Sequence, residues 1–427
     1  MATQQATTER GYAGLVEITD KTFRVSSRVY TEQAIFEREI AEIFEKTWVY
    51  VAHDSEIAQP GDYKTAQVGR YPIIVTRDKG GAVHALLNVC RHRANAICRE
   101  NYGNSQNFRC PYHAWTYRNS GELIGVPDGG RYPQGFSTSG LSLIRVAKVD
   151  SYRGLIFASL SADVPKLGEH LAPVKEHIDL WADRSIGGEH KVLHPHRYAY
   201  LGNWKFQCEN GVDGYHPGIV HESAFSTFGE FGIGNFAARD LVKRGSISRG
   251  FPGGHSTLEG GALDGRGVGR GLPHRAEEYL AHLREVYGDD RAQEIVSNRH
   301  TFIFPNVFLF DELVRVIQPI ALEYTEVYSH PFWLHGVPDD FNTRRLYEGT
   351  RQLSTTGMVN PSDLEMFAAN QTGLHSRMEW LVLDRGMQRE EIAADGKRVG
   401  NYSDEAPQRS LYRHWAQVMA RAADGGR

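Results

Sequence analysis

The apolar positions of this chain change period along its length, and the changes divide it. Between residues 46 and 160 they come in short alternating or β-branched runs broken by turn residues. That pattern predicts strands at Trp48–Ala52, Asp62–Val68, Tyr71–Arg77, Val83–Val89, Trp115–Tyr117, Glu122–Val126, Arg145–Val149 and Leu155–Leu160. Ahead of this block, Phe36, Ile40, Ile43 and Phe44 recur at helical spacing behind Thr31, a residue able to cap a helix, and residues 1–20 read as a loose polar arm.

Beyond it, Pro165–Gly168 marks an exit into a helical region that reaches about Asp183. The glycine-rich segment Gly245–Gly271, with scattered Arg and His, predicts a surface loop or lid of low order, read first as a flexible insertion with no chemistry. One long helix is predicted over Ala276–Asn298, strands over Phe302–Phe310, Val314–Ile320 and Thr325–Leu334, and helices over Asp339–Leu353 and Pro361–Asn370. The fold class is therefore α+β. An antiparallel β domain covers 46–160, and a second domain made of 1–45 and 161–427 carries a central antiparallel sheet flanked by helices.

Composition narrows the function classes. At 427 residues, 41% apolar and 11% aromatic, the chain can bury two cores. A β module of this kind needs only about a hundred residues, so the remainder has another task, which argues for an enzyme. The net charge of −4, from 48 basic and 52 acidic residues, offers no basic footprint for nucleic acid. No run approaches the roughly 18–20 apolar residues of a membrane span, and MATQQATTERGY lacks a signal-peptide core. A cytoplasmic location is expected.

Chemistry concentrates in two stretches. In the first, Cys90-x-His92 is followed after seventeen residues by Cys110-x2-His113, so each of two loops offers one thiolate and one imidazole. Thiolates on one iron and neutral imidazoles on the other make a Rieske [2Fe–2S] cluster, whose potential lies above that of an all-Cys cluster. The competing reading is a Cys2His2 zinc site, but zinc knuckles run C-x2–4-C and then H-x3–5-H. Of the other two cysteines, Cys98 and Cys208, neither belongs to a disulfide framework, and both read as small buried side chains.

The second stretch runs from Asn203-Trp204-Lys205 to His221. In an unbroken helix His216 and His221 would lie about 140° apart, so both could not aim at one metal. Pro217 would break or kink such a helix near His216, with Gly218 adding freedom, and the chain could then turn both rings to one point. Asp213 is placed to support a ligand imidazole. A third, carboxylate ligand would complete a two-His-one-carboxylate iron(II) set with positions open for oxygen. Asp363 is the first candidate, Glu365 and Asp384 are rivals, and spacing does not choose among them. An Asp in a first helical turn is also stabilised by the helix dipole alone.

Taken together, C-x-H-x17-C-x2-H with Ala114-Trp115-Thr116-Tyr117 and the N-W-K…E-N…D-x-Y-H-x4-H run resemble the large (α) subunit of Rieske non-haem iron ring-hydroxylating oxygenases, over nearly the whole chain. Asn95 stands where respiratory Rieske proteins carry a disulfide cysteine, in keeping with the soluble oxygenase branch. Glu209–His216, Val220-His221, Trp48–His53, Pro305-Asn306-Val307 and Asn360–Glu365 look most like the benzoate and anthranilate dioxygenase branch.

The resemblance implies Cys90, His92, Cys110 and His113 as cluster ligands and His216, His221 and Asp363 as iron ligands. It also implies an α3 or α3β3 ring in which Asp213 bridges His216 of one protomer to His113 of the next. Electrons would come from NAD(P)H through a separate reductase or ferredoxin, and O2 would be spent on cis-dihydroxylation of a substituted benzoate or related aromatic acid. Two departures stand out. Ala94 replaces the usual Gly after the first ligand pair, and His216-Pro217-Gly218 is closer to the salicylate hydroxylase pattern. Monohydroxylation of a salicylate-like acid and oxygenation or demethylation of a neutral aromatic are the alternatives; an electron carrier without mononuclear iron is a third. An anionic substrate needs a positive or amide partner, for which Arg299, Arg315 and Asn210 are conceivable.

Overall fold

The computed structural model describes residues 12–230, 246–260 and 276–424. The chain divides into two compact units, Ile43–Glu169 and Met1–Glu42 with His170–Arg427. Among the described residues no helix is long and apolar enough to cross a membrane.

The Ile43–Glu169 unit is built from three small antiparallel sheets. Val83–Leu87, Tyr71–Arg77, Asp62–Val68 and Tyr102–Asn104 form one, in that order. Asn107–Arg109, Thr116–Arg118 and Leu123–Gly125 form the second, and Val49–His53 lies beside Leu155–Ser159 and Lys148–Tyr152 in the third. Ile74, Leu86, Phe108, Trp115, Tyr117 and Leu143 pack in one core with Cys90 and Cys110, so the sulfurs belong to the hydrophobic interior.

Two strands differ from expectation. The strand that starts at Val83 stops at Leu87 rather than Val89, because Asn88 leaves the sheet and turns its side chain inward: Oδ1 accepts from the Ile97 and Cys98 N–H groups at 3.0 and 2.9 Å, and Nδ2 donates to the Cys98 carbonyl at 2.8 Å. The strand expected from Arg145 begins at Lys148, Arg145 making an isolated bridge to Leu86.

Among the described residues the other unit carries a ten-stranded antiparallel sheet flanked by helices. Tyr324–Leu334 and Leu313–Ala321 are its long central hairpin. Val307–Leu309, Arg299–Ile303, Ser256–Glu259 and Ile247–Gly250 follow on one side, and His196–Tyr200 and His190–Val192 pair with Tyr324–Leu334 on the other. Several expectations are corrected here. Thr31 is no cap; its hydroxyl donates back to the Ser27 carbonyl, and the chain instead makes a short helix Arg28–Thr31, a helix Gln33–Glu39 and a π turn Ile40–Phe44.

Tyr12–Leu15 and Val16–Ile18 are ordered elements rather than a loose arm; residues 1–11 lie outside the described residues. Where a low-order surface loop or insertion was expected, Ile247–Gly250 and Ser256–Glu259 are strands of the sheet, while 245 and 261–271 lie outside the described residues. Phe302–Phe310 is a hairpin turning at Pro305, and Ala276–Asn298 is two helices broken at Gly288, whose φ of 81° ends the first.

Three histidines meet under the C-terminal helix Ala406–Asp424. His255 is fully buried; Nε2 donates to the His170 carbonyl at 3.0 Å and Nδ1 accepts from the Phe304 N–H at 3.1 Å, so the ring is neutral. Burial, then the charges of His170 and His414, hold it well below 6.5, and burial holds His170 and His414 at about 4. A depressed histidine contributes stability above its unfolded pKa and loses it as pH falls. Each such ring is expected to cost about 1.4 kcal/mol per pH unit below about 6.5. In urea denaturation, the stability gap between the wild-type chain and His255→Asn should narrow from pH 7 to pH 5; a constant gap would mean that His255 titrates normally.

Candidate metal centres

The two ligand loops are the same turn twice. The Cys90 N–H donates to the Asn95 carbonyl at 2.9 Å and the Ala94 N–H to the Cys90 carbonyl at 2.9 Å; Cys110 and Ala114 repeat this with Trp115 and Cys110 at 2.8 and 2.9 Å. Each loop closes through an alanine in the left-handed region, φ 56° at Ala94 and 58° at Ala114, a strain of about 1–2 kcal/mol apiece. The sequence pointed to the first alanine but not the second.

This geometry brings the four predicted ligands together. The two sulfurs are within hydrogen-bond reach of each other, and the His92 and His113 ring centroids are 4.6 Å apart. His92 stacks on Trp115 at 5.0 Å, and its buried Nδ1 has no partner among the described residues, which a metal bond would satisfy. Loss of hydration, then the charges of His113 and Arg93, lower the His92 pKa, favouring the neutral ring a metal needs.

Burial alone would raise the Cys110 pKa, but the Tyr112 and His113 N–H groups, with Cys90 and Asn95, outweigh it and lower it. Tyr117 places its hydroxyl 3.4 Å from Cys90 Sγ and accepts from the Arg91 N–H at 3.1 Å. The donor set fits a two-Cys, two-His cluster. Asn88 and Tyr117 hold the first loop; Tyr117 ends the Ala114–Tyr117 run noted in the sequence, whereas nothing in the spacing singles out Asn88.

The second centre rests on a buried scaffold. Glu39 accepts from Lys205 Nζ at 2.7 Å, Trp415 Nε1 at 2.7 Å and Trp204 Nε1 at 2.9 Å, while Glu209 accepts from the Tyr30 hydroxyl at 2.6 Å and from Tyr412. These contacts fix the helix Lys205–Asn210. That helix ends well before Pro217, so the expected kink at His216 is not how the rings converge. Pro217 instead opens a new one-turn helix, Pro217–Val220, at the position where its missing N–H costs nothing, and His216 and His221 flank that turn.

Asp363 lies in the first turn of the helix Asn360–Leu374, and its Oδ1 is 3.2 Å from His221 Nε2 and 3.5 Å from His216 Nε2. The three side chains form a group able to hold a metal ion. The rivals are elsewhere: Asp384 accepts the Phe23 N–H at 2.5 Å, and Glu365 is exposed. Asp213 Oδ2 stands 3.4 Å from His216 Nδ1, and its Oδ1 accepts from the Tyr215 N–H at 2.6 Å. Asn210 has a role spacing did not suggest: its Nδ2 lies 3.1 Å from Asp363 Oδ1 and 3.2 Å from His216 Nε2. Arg299, also conceived as an anion partner, is spent on Glu259 at 3.5 Å.

Comparison with known proteins decides the family. Residues 47–146 match the Rieske [2Fe-2S] domain, and residues 188–421 match the catalytic domain of the ring hydroxylating alpha subunit. The chain belongs to the Rieske ring-hydroxylating dioxygenase large subunits.

Among its relatives, this large subunit is 33% identical over 431 residues to the 2-halobenzoate 1,2-dioxygenase large subunit of Burkholderia cepacia, covering 94% of this chain and 90% of the other. It is 33% identical over 387 residues to the anthranilate 1,2-dioxygenase large subunit of Acinetobacter baylyi, covering 86% and 81%. A crystal structure of naphthalene 1,2-dioxygenase from a Rhodococcus species, bound to indole, superposes with a TM-score of 0.85 at 26% identity, covering 98% of this chain and 99% of that one. Like the family, this dioxygenase subunit carries a Rieske [2Fe–2S] cluster and a mononuclear iron and works in a multicomponent system with a ferredoxin or reductase. The bound cluster supplies single electrons and the iron a place for O2 to be activated.

Proposed function

We propose that this large subunit inserts both atoms of O2 into the ring of a substituted benzoate or related aromatic acid, releasing a cis-dihydrodiol. The observation that carries the reading is the alignment with benzoate-type large subunits over most of the chain, 94% of it in the halobenzoate case. In this reading Cys90, His92, Cys110 and His113 hold the cluster within domain 46–160. His216, His221 and Asp363 hold the iron within the domain of 1–45 and 161–427, and their convergence on Asp363 Oδ1 supports this assignment.

Asp213 orients His216 through Nδ1 and links it to the neighbouring protomer's cluster in an α3 or α3β3 ring. Asn210 holds the carboxylate of Asp363 by its amide. Electrons pass from NAD(P)H through a reductase, a supply that suits a cytoplasmic enzyme.

A second reading, one-oxygen hydroxylation of a salicylate-like acid, draws on His216-Pro217-Gly218. Turnover of the reduced protein under ¹⁸O2 with mixed aromatic acids and neutral aromatics separates the two. Two labelled atoms on a benzoate are expected, one labelled atom would favour the hydroxylase, and labelled products from neutral rings alone would overturn the aromatic-acid reading.

A further inference from the structure

One face of the central sheet is turned to the iron ligands. Phe308, Arg315 and Ser329 stand directly opposite one another on neighbouring strands and so share a face, and Phe302, His300 and Tyr198 fall on it by the same register. Gly211, in the ligand stretch, lies so close to this face that an added Cβ would sit 2.4 Å from the Phe308 ring, and its carbonyl accepts from His300 Nδ1 at 2.9 Å. The Tyr198 hydroxyl donates to Gln207 Oε1 at 3.5 Å and lies close to Ser329 and to Asn360, the latter three residues ahead of Asp363 on the same helix.

Arg315 is only 3% exposed on this face, and its surroundings are incomplete. Nε is 3.4 Å from Ser329 Oγ and the guanidinium lies 4.9 Å from the Phe310 ring centroid, which together fix its plane. Its Nη2 is buried without a partner among the described residues. Among the described residues no carboxylate pairs with Arg315.

The other buried arginines have stronger acceptors. Arg184 pairs with Asp311 at 2.6 Å, Arg299 with Glu259 at 3.5 Å and Arg409 with Glu390 at 3.0 Å; Arg345, also without a paired carboxylate among the described residues, donates to the Asp311 and Phe332 carbonyls instead. A buried cation with no counter-charge is costly, and an arginine fork is matched in shape to one carboxylate.

We propose that Arg315 is the carboxylate anchor of the substrate site, its free Nη2 edge donating to the acid group of the aromatic substrate beside the iron ligands. This rests on the aromatic-acid reading above and assigns its specificity to one residue. A ring without the acid group leaves the guanidinium unpaired, so the site discriminates against neutral aromatics by the burial of Arg315 as much as by contacts made to the acid.

The test is anaerobic calorimetric titration of the intact, metal-loaded protein with benzoate, 2-chlorobenzoate, anthranilate and salicylate, and with toluene as the neutral ring. Arg315→Gln should weaken the preferred acid by about 30-fold or more while toluene affinity and the thermal midpoint stay near wild type. Arg315→Lys keeps the charge without the fork and should weaken the acid by a smaller factor, on the order of 5–10-fold; it also decides the matter if the glutamine variant does not fold. Equal acid affinity in the wild-type chain and the variants, or parallel loss of acid and toluene, overturns the anchor and leaves the aromatic-acid reading standing. Wild-type binding of toluene but of none of the acids overturns that reading and the anchor with it.

Discussion

Asp363→Ala is expected to strip the mononuclear iron from the subunit while the visible spectrum of the cluster stays unchanged. Asp363 Oδ1 is the point on which both imidazole Nε2 atoms converge, at 3.2 and 3.5 Å, and it brings the negative charge of the set. Without it two neutral rings remain, too few and too uncharged to retain a divalent ion. Loss of affinity should exceed the roughly 10–100-fold that outer contacts of a metal site command, and turnover should fall with it. Iron analysis beside an absorption spectrum checks this: the expected result is one iron fewer per chain with cluster bands intact. Glu365→Ala and Asp384→Ala serve as controls that keep the full complement; iron retained in Asp363→Ala would pass the role to another carboxylate.

Asp213→Asn is expected to separate metal binding from turnover. The asparagine oxygen can still accept the Tyr215 N–H that Asp213 now takes at 2.6 Å, so the turn before His216 should survive. What disappears is the negative charge 3.4 Å from His216 Nδ1. Both metal centres should load as in the wild-type chain. Turnover with the physiological reductant should drop by about 100-fold or more, the upper range for an outer partner of a ligand histidine. Rapid-mixing reduction would locate the defect: cluster reduction at normal speed with slow re-oxidation in the presence of substrate and O2. Normal turnover would remove Asp213 from the electron path.

Much of the β unit was legible because its punctuation is chemical. Asp62–Val68 and Tyr71–Arg77 begin and end where the sequence placed them, since Gly61, Gly69 and Gly81 adopt positive φ at the turns around them. The same logic failed around residue 250. Ile247–Gly250 and Ser256–Glu259 carry few branched apolar residues, and they are strands because of what packs on them: Gly250 leaves so little room that an added Cβ would meet the Ser410 side chain at 2.5 Å. That constraint comes from a helix about 160 residues away in the chain.

The third iron ligand was open for the same kind of reason. Asp363, Glu365 and Asp384 are alike in one dimension, and only the fold brings one of them to His216 and His221. Arg315 is one of three conceivable anion partners in the sequence, alike with Arg299 there; that Arg299 has Glu259 beside it and Arg315 no acid among the described residues is a property of three dimensions.

The duplicated turn that carries the four proposed cluster ligands bears on how the protein would fail. In a Rieske centre the cysteines serve one iron and the histidines the other, so each loop contributes one ligand to each metal ion. Opening either loop therefore halves the protein's grip on both ions at once, and no path removes one iron while the other keeps its full set. Damage by oxidant or chelator should accordingly bleach the centre in a single step, without a half-loaded stage. A population of ageing enzyme would then be a mixture of whole and empty molecules rather than a gradation of impaired ones.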